Sequence, residues 1–231
     1  MICLCAIIES ANRVAGLELK GLDHQTMEYV PCGNIAAAFT RHTVAPPAVA
    51  ENIVQYEQAI ESLMSHAALL PVRFGTCFKS EDGARDALNQ NAALLAEGLE
   101  AVRGKVEMGV RILSPTPTAR SSGTGFARGT DYMQAKLVER RQEEEREQQQ
   151  LRSAQETLGP AIQRWPNYVQ STVRNGIASF AFLIPQKDVE AFRSAIRAAM
   201  PSHPDLRLLC TGPWPAYHFT PALSDSEACH A

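Results

Sequence analysis

The chain predicts an α+β protein of two domains: an N-terminal sheet-and-helix domain, then a modified ferredoxin-like domain with a long helical insertion. Three observations carry that expectation. Ile2 to Ile8 is a nearly unbroken apolar run, the mark of a strand covered on both faces. Residues 48–67 place Ile53, Tyr56, Ile60, Leu63, Met64 and Ala67 three or four apart, which gathers them on one helix face. From Gly104 onward the periodicities follow the order β-α-β-β-α-β, the split βαβ arrangement.

In chain order, Gln25 to Val30 and Asn34 to Thr40 read as two short strands, with Pro31 and Gly33 supplying the turn. Pro46 and Pro47 then introduce the first helix. Leu69 to Phe78 returns to the sheet, with Pro71 confined to a strand start or an edge. Asp82 is the expected cap of a second helix whose inner face is Leu88, Leu95, Leu99 and Val102. These elements make up the first domain, residues 1–103.

The second domain spans 104–219. Val106 to Leu113 is its first strand, and the breakers between residues 114 and 129 exclude regular structure there. A long helix is expected over 130–158. Met133 and Leu137 anchor its start, and Leu151, Leu158 and Ile162 its end, but Glu139 to Gln150 contains no apolar residue. Pairs such as Arg140 with Glu144 are worth only about 0.2–0.5 kcal/mol each, enough to support a solvated helix but not to bury it. If continuous it would run roughly 43 Å, so its middle must project or break. That stretch is either a solvated face or a partner-binding surface. Its lack of apolar a and d residues argues against a coiled-coil seam between copies.

Tyr168 to Arg174 and Ile177 to Ile184 are strands joined by Asn175-Gly176, a hairpin signal. Asp188 to Met200 is a helix with Val189, Phe192, Ile196 and Ala199 inward. Leu206 to Thr211 is the last strand, and residues 220–231 form a polar tail. Between strand and tail, Thr-Gly-Pro-Trp-Pro-Ala-Tyr-His-Phe (211–219) is proline-stiffened and carries Trp214, Tyr217 and Phe219. A segment of that kind is suited to docking rather than to waving free.

That ending, with Leu-Leu-Pro-Val-Arg-Phe-Gly-Thr-Cys-Phe (69–78), Gly-Lys-Val-Glu-Met-Gly-Val (104–110) and Asp-Tyr-Met-Gln-Ala-Lys-Leu (131–137), resembles the gas vesicle accessory proteins of the F/L type. The family usually carries a second proline and a small polar residue near the end, where this chain has Ala216 and His218. The resemblance implies the same two-domain fold and a non-enzymatic role in gas vesicle assembly. It also implies binding to the hydrophobic shell protein, to other accessory proteins, or to both, at the gas vesicle and in the cytoplasm.

Composition agrees with a contact protein. A net charge of −3 offers no broad basic surface, so nucleic acid is not expected as a main partner. The apolar start is too short for a membrane span and has no basic lead or cleavage signal. The six cysteines are Cys3, Cys5, Cys32, Cys77, Cys210 and Cys229, with no Cys-x-x-Cys pair. Buried reduced thiols are expected rather than a disulfide framework.

Catalytic motifs are scarce. There is no Gly-x-x-x-x-Gly-Lys loop, Gly-x-Ser-x-Gly elbow or His-Glu-x-x-His helix. The spaced glycines of 123–129 lack the lysine and read as a connector, and Cys229-His230 reads as solvated tail rather than as metal ligands. No cofactor is expected. The alternative is a small enzyme or ligand-binding regulator using a cleft between the two domains, with Cys77 near His66 or His218 as its test case. Glu57 and Glu61, one turn apart, are expected to be solvated. Arg73 sits in an apolar run, so it either points to solvent, pairs with an acid such as Glu107, or serves an anion or partner site. The candidate partner-binding or interdomain residues are therefore Arg73, Phe74, Trp214, Tyr217, Phe219, Arg140 and Glu144.

Overall fold

The computed structural model describes residues 1–9, 17–113, 129–170, 177–199 and 207–221. The Asn175-Gly176 turn, the 114–128 connector, His203 and the tail beyond 221 lie outside these residues. The chain is α+β and divides into two compact units, Met1–Glu107 with the segment from Trp214 onward, and Met108–Pro213.

The first unit is a sheet between helices. Its strands β1 (Ile2–Ile8), β2 (Glu28–Cys32), β3 (Ile35–Arg41) and β4 (Leu69–Pro71) lie in the order β2-β3-β1-β4, and β5 (Cys77–Phe78) also pairs with β1. Gly33, at φ 58°, opens the two-residue turn between β2 and β3, a conformation glycine reaches without Cβ strain. All of β1 is buried, because both of its faces are covered. Ala6, Ile8, Ala36, Ala38 and Leu69 face helix α1 (Ala50–Met64), where they meet Tyr56, Ala59, Ile60 and Leu63. Helices α2 (Glu81–Gln90) and α3 (Ala92–Val102) contribute Leu88, Leu95, Leu99 and Val102 to the remaining core.

The expected single strand over 69–78 is two strands, and a bulge in β1 explains the break. Against β3 the register steps from Leu4 opposite Phe39 to Ala6 opposite Ala38, which leaves Cys5 as the extra residue. β5 pairs with β1 before the bulge and β4 after it. The Tyr56 hydroxyl fills the gap: it donates to Val72 O and lies 3.1 Å from Cys5 O and 3.4 Å from Leu4 O.

Three further expectations are corrected. The helix expected from Asp82 divides at Asn91 (φ −108°, ψ 7°), and its cap is Ser80, whose hydroxyl accepts Gly83 N–H at 3.2 Å. Ile53 is 41% exposed rather than core, one turn short of the buried stripe. Cys3 and Cys77 form a disulfide, contrary to the expected reduced thiols. They stand opposite each other in the β1–β5 pair with Cα atoms 4.1 Å apart, a juxtaposition across 74 residues of sequence that no local pattern shows. Cys5, Cys32 and Cys210 are free.

The second unit carries β6 (Lys105–Leu113), β7 (Tyr168–Gln170), β8 (Ile177–Pro185) and β9 (Arg207–Trp214) in the order β7-β8-β6-β9. β8 thus lies between β6 and β7, and β6 between β8 and β9, the interleaving of two split βαβ units. Helix α4 runs unbroken over Gly129–Thr157, α5 over Gly159–Arg164 and α6 over Val189–Ala199. At 29 residues α4 is about 43 Å long; it is exposed through its middle, and among its described side chains those buried are Ala154 and Thr157, near its end. Phe182 and Phe192 are fully buried at the centre of an aromatic core. Phe182 lies 5.4 Å from Tyr168 and 5.1 Å from Phe192, and Trp165 meets Phe192 edge-on at 5.0 Å.

Candidate functional site

The closing segment is built by short-range turns. β9 ends at Trp214, Pro215 and Ala216 are buried, and a 3-10 turn covers Tyr217–Phe219. Ala216 O accepts both Phe219 N–H (3.1 Å) and the Thr220 hydroxyl (2.9 Å). Within the first unit, two carboxylates fasten this turn. The Tyr217 hydroxyl reaches Glu57 of α1 at 2.9 and 3.0 Å, while the buried Glu107 carboxylate accepts His218 N–H at 2.9 Å and contacts its ring Nδ1 at 2.7 Å. Pro221 packs against Gly98 of α3, where a side chain would crowd it.

The candidate residues fall into different places. Phe74 and Tyr217 come together: both pack against the cluster around Tyr56, with Phe74 edge-on to that ring at 5.3 Å. Phe219 is half-buried, whereas Trp214 is 40% exposed. Arg73 is exposed in the turn after β4, with no ion pair among the described residues; Glu107, its suggested partner, holds His218 instead. Arg140 and Glu144 form the expected i,i+4 pair at 3.1 Å on the exposed middle of α4, in the second unit.

Sequence reasoning passed over the residues that do the fastening. Glu57 was expected to be solvated, yet it is the acceptor for Tyr217. His218 was visible as a departure from the family ending, and that departure makes the contact to Glu107. The phenol of Tyr217 is pushed far up by burial and by the Glu57 carboxylate beside it, with Glu61 adding to the effect. A raised phenol contributes stability below its unfolded value of about 10, and loses it as pH climbs past that value. Wild-type stability in urea should therefore fall between pH 9 and 11, and Tyr217→Phe should flatten part of that slope; an unchanged slope would refute the assignment.

Little here suits catalysis. Cys77 is spent in the disulfide, His66 Nδ1 contacts the Ser62 carbonyl at 2.9 Å, and burial pushes the Cys5 thiol up to about 12. A cleft of about 760 Å³ in the first unit is lined by Asp23, Arg41, His42, Asn52, Lys79 and Glu81 among others. Its charges are largely paired: Arg41 binds Glu28 and Glu81, and His42 meets Asp23 at 3.2 Å. His42 also contacts the buried Thr40 hydroxyl at 2.9 Å, but Thr40 is inaccessible to a substrate. Among the described residues no group of three or more His, Cys, Asp or Glu side chains could hold a metal ion, and no helix is long and apolar enough to cross a membrane.

Comparison with known proteins gives a consistent answer. Residues 3–221 match a family profile described as gas vesicle synthesis protein GvpL/GvpF. Gas vesicle protein F1 of Halobacterium salinarum is 24% identical over 180 residues, covering 77% of this chain and 72% of that protein. Gas vesicle protein F2 of the same organism is 23% identical over 213 residues, 90% of this chain and 87% of that protein. The crystal structure of GvpF from Anabaena superposes with a TM-score of 0.73 at 18% identity, covering 100% of this chain and 98% of that one. GvpF from Microcystis aeruginosa gives 0.72 at 16% identity, with 94% and 98% coverage. At those identities the two structures speak for the fold.

Proposed function

The chain belongs to the GvpL/GvpF family of gas vesicle synthesis proteins, and from that premise we propose that it works by contact, binding the hydrophobic shell protein of the vesicle during assembly. Shell subunits expose apolar surface before the wall forms, and such surface aggregates unless something covers it. A partner for it needs rigid apolar and aromatic surface, not a reactive side chain. The observation that carries the reading is the closing segment, held by Glu57 and Glu107 yet leaving Trp214 at the surface. Fixing the backbone beforehand lowers the ordering cost of binding. The place of action is the cytoplasm and the growing vesicle, and other accessory proteins of the same assembly are further partners.

The test is recovery of the shell protein with the tagged full chain from vesicle-forming cells. We expect the shell protein in the eluate, and at least a fivefold loss for Trp214→Ala, the size of change that about 1 kcal/mol produces. No recovery by the wild type, together with normal vesicles after deletion of the gene, would overturn the proposal.

A further inference from the structure

An apolar surface in the first unit has no role in its core. Val44 is 69% exposed, Val49 49%, Ile53 41% and Val54 54%, and Pro47, Ala48 and Ala50 between them are exposed as well. The patch is the loop leading into α1 together with the first turns of its outer face. Local stability does not explain it: Val49 occupies the helix N-cap with no side-chain hydrogen bond, where serine or aspartate would cap. Scattered surface apolar residues are ordinary; a run of them along one ridge is not.

The same helix is acidic. Between Thr43 and Ala67 the chain has Glu51, Glu57 and Glu61 and no lysine or arginine. Glu51 and Glu61 are exposed, and the Glu57 carboxylate accepts from Tyr217. The cleft beside the loop holds Arg41, bound by Glu28 and Glu81, together with Lys79 and the Met1 α-ammonium, and the exposed Arg73 lies in the turn after β4. The outer face of α1 therefore reads mainly apolar through its first turns, with Glu51 at their edge, and negative alone at Glu57 and Glu61. A ridge of positions i, i+3 and i+4 presents no free backbone to a strand but fits the groove of another helix. Anionic lipid headgroups would be repelled by the same carboxylates.

We propose that this face, Val44 to Glu61, docks an amphipathic helix of a vesicle partner whose apolar stretch is followed, within one or two turns, by lysine or arginine. The proposal rests on the contact role argued above and names its surface and the chemistry of its occupant. Apolar burial supplies the attachment at Ile53 and Val54, and the glutamates fix the direction in which the partner helix lies.

Photocrosslinking in vesicle-forming cells tests it, with a crosslinking residue at Val54 of the tagged full chain and at the exposed Asp86 of α2 as control. The expected product at Val54 is a partner peptide that is apolar with nearby Lys or Arg, at several times the yield seen at Asp86. Ile53→Glu with Val54→Glu should reduce partner recovery at least tenfold, and Glu61→Lys several-fold, without changing far-UV circular dichroism. Equal yields at the two positions overturn the proposal, as does capture of an acidic segment, of lipid or of a second copy of this chain. Two combinations separate the readings. Shell recovery that ignores the Ile53 and Val54 changes, with no basic-flanked helix of any protein captured at Val54, sinks this inference alone. A basic-flanked helix of some other protein captured at Val54, with no shell protein recovered, sinks the preceding reading and leaves this one standing.

Discussion

Tyr56→Phe should cost about 1–3 kcal/mol of folding stability, although it removes a single oxygen atom. The ring and its edge-on contact with Phe74 remain, so packing is preserved. What disappears is the donor at the β1 bulge, where the carbonyls of Leu4, Cys5 and Val72 converge. Cys5 O keeps the Val72 N–H at 3.0 Å, but the phenol's share of the network has no replacement in a site with Tyr56 only 2% exposed. Burying a polar group without a partner is the costly case, because water can no longer reach it. Urea unfolding monitored by circular dichroism reads the difference; a change below about 0.5 kcal/mol, the range of ordinary surface substitutions, would show that the bulge carbonyls do not need the hydroxyl.

Phe182→Ala should be larger, about 3–5 kcal/mol, since it empties the centre of the second unit's core. Phe182 has no exposed surface, and Tyr168 and Phe192 each lose one ring neighbour with it, keeping Phe180 and Trp165 respectively. Trp165, edge-on to Phe192, makes the loss observable by fluorescence in a Trp214→Phe background. An early shift of its emission in urea is expected. A midpoint equal to the wild type would mean that the surrounding rings collapse into the space, contrary to the stiffness of a close-packed core.

The fold class was legible because periodicity survives tertiary context where the apolar face is broad. The unbroken run at Ile2 to Ile8 and the 3.6-residue spacing of Tyr56, Ile60 and Leu63 both appear as read. The sheet of the second unit follows from element order alone. What sequence could not show is register. The Cys5 bulge divides 69–78 into β4 and β5, and the pairing that sets Cys3 against Cys77 depends on a loop of 74 residues. Asp82 and Ser80 are both good caps, and only backbone geometry chooses between them.

The surface was read less well, for a physical reason. Glu57 looks like any carboxylate on the outside of a helix until Tyr217 arrives from 160 residues away. Ile53 satisfies the helical period but not the length of core beneath it. Arg140 and Glu144 paired as expected, since an i,i+4 contact is fixed by the helix itself.

The discontinuity of the first unit has a consequence for biosynthesis. Residues Met1–Glu107 leave the ribosome long before the turn that completes them, and the whole of Met108–Pro213 is made in between. At cellular synthesis rates the 114 residues from 108 to 221 take about 6–23 s to translate. Throughout that interval the nascent chain holds Glu107 without His218, and the cluster beside α1 without the Tyr217 ring. A half-made chain of this kind is a natural client for chaperones, and slowing translation should lengthen its dependence on them.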